Sequence, residues 1–247
     1  YIPSHNLGIE VNGLYWHSEL AGKTKQYHQD KTELALTNGI QLLQFYEDTL
    51  IDRFDTVVSL ILSKIGKAEI INAEDCDVKV ITLDVAKAFC NQNHLHGYAK
   101  ANVNIGLYFQ RSLVAVGSFA KTRYNSHHDW ELIRFCSMNN HIVSKGFSKI
   151  IKVFCENYNP KAIIGYADRS YSQGKIYEKN GFTKIGTSDA DYYYLRANEI
   201  RRYPRSLFQK HTLKNKLEIY DPSISELKNM KANSWNRIWD SGQLVYS

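Results

Sequence analysis

Leu7, Ile9 and Val11 alternate with Gly8, Glu10 and Asn12. That period of two is what a half-buried strand requires, and it limits what the surrounding chain can become. The apolar side chains take one face and put Glu10 and Asn12 on the other. Gly13 then permits a bend, and Tyr15, Trp16 and His17 follow at once. A helical segment opening at Tyr27-His28-Gln-Asp30-Lys31 ends at Asn38-Gly39, after which Ile40, Leu42, Leu43 and Phe45 read as the next strand. Carboxylate, amide, imidazole and lysine therefore crowd around one strand and the helix after it.

Beyond Glu47-Asp48, Val57, Leu60, Ile61 and Ile65 recur at helical spacing up to the stop at Gly66. The polar, aperiodic stretch from Gly66 to Asp77 is expected to be a domain boundary. A second unit begins with a strand at Val78 and a helix from Asp84, its N-cap, to Asn93. Val103–Phe109 and Leu113–Phe119 form a hairpin across Gln110-Arg-Ser112, and Trp130–Cys136 is a further strand. A helix opens at Ser144-Lys-Gly-Phe-Ser148, Ala162–Tyr166 is a buried strand, and a short helix ends at Gly181. Phe182–Ile185 and Tyr192–Leu195 are the last strands of this unit. Beyond Arg196 the chain is basic, with Arg201, Arg202, Arg205, Lys210, Lys214 and Lys216. The expected division is α/β throughout: residues 1–68, 76–198, and a tail, 199–247, packed on the second domain.

The 247 residues carry a formal charge of +6, and 13% of them are aromatic. Positive charge with polar rings suits a partner built of phosphates and bases. Cys76, Cys90, Cys136 and Cys155 stand far apart, as reduced thiols of a cytoplasmic protein do. No apolar run approaches the roughly 18 residues of a membrane span, so no membrane partner is expected. The chain opens at Tyr1-Ile-Pro with no methionine, as a processed product, a fragment or the ordered part of a longer polypeptide would.

Hydrolysis of a phosphodiester needs a carboxylate to hold a divalent cation, a group to activate or orient water, and a cation to offset charge on the phosphate. Glu10 suits the first role, as metal ligand. His17 or His28 suits the second, and Lys31, on the same helix face as His28, suits the third. Glu19 is a further carboxylate. The alternative is that Glu10 and Asn12 are solvated strand residues, Trp16 is core and the histidines are incidental. His94-Leu-His96 is either a metal pair or a polar turn. Asp168, Arg169, Ser170 and Ser172 are either binding groups or helix caps.

The string Ile9-Glu-Val-Asn-Gly-Leu-Tyr-Trp-His-Ser-Glu19, followed by Tyr27-His28, Lys31, Gly39-Ile-Gln-Leu42 and Phe45-Tyr-Glu-Asp48, resembles the nuclease domain of phage homing-type endonucleases. These belong with the very-short-patch-repair (Vsr) branch of the PD-(D/E)xK superfamily. The resemblance implies a double-stranded DNA substrate, Mg²⁺ or another divalent cation, and a catalytic histidine at His17. It also implies a metal-binding aspartate upstream of Tyr1. Where Vsr enzymes carry another active-site histidine, this chain has Asn12, here assigned to DNA contact together with Arg201, Arg202, Arg205, Lys210 and Lys214.

The second unit, with Gly146-Phe-Ser148 at a helix start and Ile176-Tyr-Glu-Lys-Asn-Gly-Phe182 before the final strands, is similar to the N-acetyltransferase (GNAT) fold. The turn Val143–Lys149 lacks the glycine-rich pattern that cradles the coenzyme A pyrophosphate, and Tyr177 stands where many members keep a catalytic acid. The expectation is a GNAT-like module that positions DNA for the nuclease. Acetyl-CoA-dependent acyl transfer, or DNA binding without catalysis, are the alternatives.

Overall fold

The computed structural model describes residues 1–122 and 127–247. It is a mixed α/β protein with several sheets, as the alternating strand and helix periods imply. Its contacts gather into two compact units. One comprises Tyr1–Asp52, Asp168–Ser172 and Ser188–Gln243; the other comprises Arg53–Ala167, Gln173–Thr187 and Leu244–Ser247. These units cut across the expected lines at 68, 76 and 198, and the basic tail up to Gln243 belongs to the unit that contains the first strand.

In the first unit, strand β1 (Leu7–Asn12), helix α1 (Tyr27–Thr37) and strand β2 (Gln41–Tyr46) follow in order, and the two strands pair in parallel. Their register sets Glu10 beside Gln44 and Asn12 beside Tyr46. No apolar stripe holds α1: its one buried side chain is His28, while Leu34 and Leu36 are exposed. A histidine thus anchors the helix where a core residue ordinarily would. Helix α2 (Glu47–Lys64) begins directly at the end of β2, earlier than the Val57–Ile65 periodicity suggests. Within it Arg53 leaves helical geometry (φ −139°, ψ 31°), and the division between the units falls at that residue.

The stretch after Gly66 is not irregular: it contains β3 (Glu69–Asn72) and a 3-10 turn. Next come β4 (Asp77–Val80) and α3 (Leu83–Asn93). Thr82, not Asp84, caps α3, its hydroxyl accepting the Val85 N–H. Asp84 lies inside the first turn, where its charge suits the helix dipole. The hairpin of β5 (Val103–Phe109) and β6 (Ser112–Lys121) turns through Gln110 and Arg111, both with positive φ (49° and 69°), the conformation a two-residue turn needs to match strand twist. After β7 (Trp130–Ser137), β8 (His141–Ser144) pairs in parallel with β3, a partnership that no local sequence signal announces. Helix α4 (Gly146–Tyr158), β9 (Ile163–Asp168), α5 (Lys175–Glu178) and β10 (Lys184–Thr187) follow.

The remaining elements are β11 (Tyr192–Leu195), β12 (Tyr203–Pro204), α6 (Glu226–Ala232), β13 (Asn236–Trp239) and β14 (Gln243–Tyr246). Among the described residues the large sheet runs β10-β14-β9-β7-β6-β5-β4, with β7 and β9 parallel. Tyr192–Leu195 was expected to close this sheet. Instead it lies between β12 and β13 in a three-stranded sheet, where Tyr194 packs with Phe208, Met230 and Trp235. Its aromatic side chains need a core that only the tail supplies. The final strand β14 joins the large sheet, and Tyr246 stacks on Tyr177 with ring centroids 4.9 Å apart. A Cβ at Gly165 would stand 2.4 Å from the Tyr177 ring, so only glycine lets β9 approach it. The four thiols are free.

Candidate functional site

The parallel pair β1 and β2 delivers Glu10 and Asn12 to one face, and the turn after β1 delivers His17, whose N–H donates to the Gly13 carbonyl at 3.1 Å. Gly13 is not at a positive φ, and a Cβ there would make only ordinary contacts at 3.6 and 3.8 Å. The turn, rather than any special freedom of glycine, makes the bend. From α1 come His28 and Lys31. The imidazoles of His17 and His28 stack with centroids 5.4 Å apart, and Lys31 is ion-paired to Oε1 of Glu10. Tyr27 closes the group: the ammoniums of Lys23 and Lys31 lie 4.3 and 4.9 Å from its ring.

Gln44, which the sequence reading passed over, sets the state of His28. Its amide nitrogen donates to the His28 carbonyl and, at 2.8 Å, to the Thr32 hydroxyl, so its oxygen must face the ring. That oxygen lies 2.8 Å from Nδ1 of His28. Nδ1 therefore carries the proton and Nε2 is a bare lone pair. The signal existed only in register, since Gln44 is the cross-strand partner of Glu10.

The buried polar atoms here are not closed off. Oε2 of Glu10, both amide atoms of Asn12, Nδ1 of His17 and Nε2 of His28 are all buried without a hydrogen-bond partner among the described residues. Native interiors leave few such atoms, and a concentration of them marks a place that binds or reacts. Burial pushes the His28 pKa down to about 4, and the bond from Gln44 offsets only part of this. Burial also lowers His17, with Glu10 opposing and Lys31 and Lys23 reinforcing it. Both rings are neutral at pH 7 and able to accept a proton. Burial would lower Lys31 as well, but its hydrogen bonds to Glu10 and Tyr27 outweigh that and leave it raised, hence charged.

Other expected site residues fall elsewhere. Glu19 is engaged by Arg237, whose nitrogens lie 2.6 and 2.9 Å from its Oε1. Asn12 is 0% exposed, which removes it from the residues that can lie against a duplex. Arg202 is bound to Asp48 at 3.0 Å and to Thr49 at 2.8 Å, and stacks 3.8 Å from the Tyr46 ring, so it braces the fold. Arg205 is exposed and paired with Asp191 at 3.1 Å; Arg201, Lys210 and Lys214 are exposed. Phe208, Trp235 and Trp239, the rings that neighbour these basic residues in the tail sequence, are buried. Trp16 is 70% exposed and is not core. His94 accepts the His96 N–H at 3.0 Å, forming the polar turn rather than a metal pair. The Ser170 N–H donates to Asp168 at 2.8 Å and Arg169 pairs with Glu33, a local turn tied to α1.

In the second unit, Tyr177 is buried and its hydroxyl donates to the Tyr166 carbonyl at 3.2 Å; burial pushes its pKa well up. At the start of α4, Lys145 pairs with Glu74 at 2.5 Å, and Lys149 donates to the carbonyls of Ala73 and Cys76 at 2.7 and 2.6 Å. These groups tie β3 and its turn to the helix.

Among the described residues no group of three or more His, Cys, Asp or Glu side chains is placed to hold a metal, and no helix is long and apolar enough to cross a membrane. Compared with known proteins, the chain matches no family model and no curated protein.

Proposed function

We propose that the Glu10–His17–His28–Lys31 cluster is the site of a divalent-metal-dependent DNA endonuclease of the Vsr-like, homing type. The observation that carries this reading is the collection of buried, unsatisfied donors and acceptors on Glu10, Asn12, His17 and His28. A hard cation such as Mg²⁺ takes one or two carboxylates and keeps several waters, so it does not need a cage of three protein ligands. Oε2 of Glu10 fits that requirement, with the carbonyl oxygen of Asn12 as a neutral oxygen nearby on the strand. The ion, when bound, supplies charge stabilisation at the phosphate and a more acidic water. His17, neutral at pH 7, takes the proton from the attacking water. His28, held by Gln44, keeps its neutral ring stacked beside that of His17. Lys31 lends positive charge to the phosphate once Glu10 turns to the cation.

His17→Ala is expected to lower Mg²⁺-dependent cutting of plasmid DNA by about 10²–10⁴-fold, the ordinary worth of a proton-transfer group. DNA binding on a gel should be unchanged. Undiminished cutting would remove His17 from the mechanism; DNA shifted but never cut by the wild type would favour binding without catalysis.

The second unit is read as GNAT-like, supported by its mixed sheet, in which β7 and β9 are parallel, and by α4 leading into β9. Its groups at the α4 start are engaged in the fold and Tyr177 is core, which favours a positioning module over acyl transfer. A rise in melting temperature with acetyl-CoA would reverse that preference, because a ligand of the folded state stabilises by mass action.

A further inference from the structure

The turn that carries His17 also walls a second feature. A cavity of about 300 Å³ opens against Gly13, Tyr15, Trp16 and Glu47 on one side and residues 195–200 on the other, all within the first unit. Its chemistry is unlike that of the catalytic cluster. Trp16 and Tyr15 stand edge to face, centroids 5.0 Å apart, and both are exposed at the cavity. Arg196 lies over the Trp235 ring at 4.4 Å and pairs through Nη1 with Glu199 of the same cavity wall at 3.6 Å, which together hold its guanidinium in place, yet its Nε is buried with no hydrogen-bond partner among the described residues. Glu47 is fixed by the Leu14 N–H at 2.6 Å. The cavity therefore offers a flat aromatic face, a rigid cationic donor short of one acceptor, and a volume at the small end of ligand pockets.

We infer that this cavity receives a single nucleobase displaced from the DNA stack, with Trp16 covering its face and Arg196 donating to an acceptor on its edge. The inference rests on reading the neighbouring cluster as one that acts on DNA. A base lost from the duplex requires unstacking, repaid by an aromatic surface and by hydrogen bonds to the exposed edge. An arginine donor selects bases that present acceptors, such as guanine O6 and N7 or a pyrimidine carbonyl. The shared Gly13–His17 turn would then couple capture of the base to the position of His17.

Tryptophan fluorescence tests this without metal and without cutting. Of the four tryptophans only Trp16 is exposed, the other three being at most 9% accessible. A short oligothymidylate is expected to quench the wild type and to have little effect on Trp16→Phe, whose remaining indoles are buried. A duplex with one extra unpaired base is expected to bind at least about tenfold more tightly than the fully paired duplex, the scale of one stacked base. Trp16→Ala should bring that ratio near one while preserving affinity for the paired duplex; because Trp16 is exposed, the fold does not depend on it. Arg196→Met should do the same. Equal wild-type affinity for the two duplexes, an unaltered preference in Trp16→Ala, or equal quenching by tetramethylammonium, which would mark an aromatic cation cage, would overturn the inference. Such a result leaves the nuclease reading intact, whereas undiminished cutting by His17→Ala would remove His17 from the mechanism and leave the base cavity standing.

Discussion

Two polar regions of the first unit use similar groups and are finished differently. Around Arg202, the guanidinium Nε and the backbone N–H both reach Asp48, Nη2 reaches Thr49, and the Tyr46 ring covers the cation. Around Asn12, buried atoms of four residues find no partner among the described residues. A buried hydrogen bond left unmade costs about 1–3 kcal/mol, so the first region is stabilised by partners that the second does not draw from those residues. A closed network is explained by the fold it stabilises. An open one asks for a ligand or a reaction, and this is why the functional reading rests on Asn12 and its neighbours and not on the more numerous bonds of Arg202.

The comparison is broken most severely by removing a partner from the closed network. Arg202→Met leaves Asp48 buried without its charge partner, keeping only the backbone N–H of residue 202, and is expected to destabilise by about 3–5 kcal/mol, read as a shift of the urea midpoint. DNA affinity of the folded fraction should not change. A stable Arg202→Met that had lost DNA affinity would instead restore Arg202 to the DNA-contacting residues.

Next in size is the pH dependence carried by His28. Its pKa is about 4 in the folded chain against 6.5 when exposed. Between those values the unfolded state binds the extra proton, so stability is full above pH 6.5 and falls as pH drops toward 4. At ~1.4 kcal/mol per pH unit the loss amounts to about 3 kcal/mol. Denaturant unfolding across this range should show the slope in the wild type and its reduction in His28→Gln; equal slopes would mean that the ring titrates as if exposed.

A direct contrast uses two asparagines of the same unit. Asn229 is enclosed like Asn12, but its amide donates to the carbonyls of Asp221 and Ser225 and its oxygen accepts the Asp221 N–H at 2.8 Å. Asn229→Leu should cost about 1–3 kcal/mol in thermal unfolding. Asn12→Leu, which removes an unsatisfied amide of similar size, should be neutral or stabilising by about 1 kcal/mol and should impair cutting, the usual exchange of stability for activity. If both substitutions destabilise alike, Asn12 has a partner and the cluster is less open than described.

Much of this contrast was written in local pattern. The alternation at Leu7–Val11, the helix after Tyr27 and the hairpin at Gln110-Arg111 were legible because each is decided by nearest neighbours in the chain. That Glu10, His17, His28 and Lys31 come together was legible for the same reason, since they are residues of one strand, one turn and one helix. What escaped was decided across the chain. Gln44 meets His28 through strand register, while Glu19 meets Arg237 and Arg202 meets Asp48 across separations of 218 and 154 residues that no local window spans. Tyr192–Leu195 has ordinary strand character and gives no sign of which sheet will take it. The difference between an arginine that braces and one that is exposed lies in its partner, and composition counts both alike.

The smallest expected effect separates those two kinds of cation. Lys214 is exposed and draws on no charge-paired partner among the described residues, so Lys214→Ala should leave the melting temperature within experimental scatter. If it contacts a phosphate, the slope of log K for DNA against log salt should become shallower by about 0.9. Affinity should fall by a similar factor for every DNA sequence, because a phosphate contact carries no base information. Arg202→Met, measured the same way, should leave the slope untouched. An unchanged slope in Lys214→Ala would remove Lys214 from the phosphate-contacting residues and make its charge part of a solvated surface.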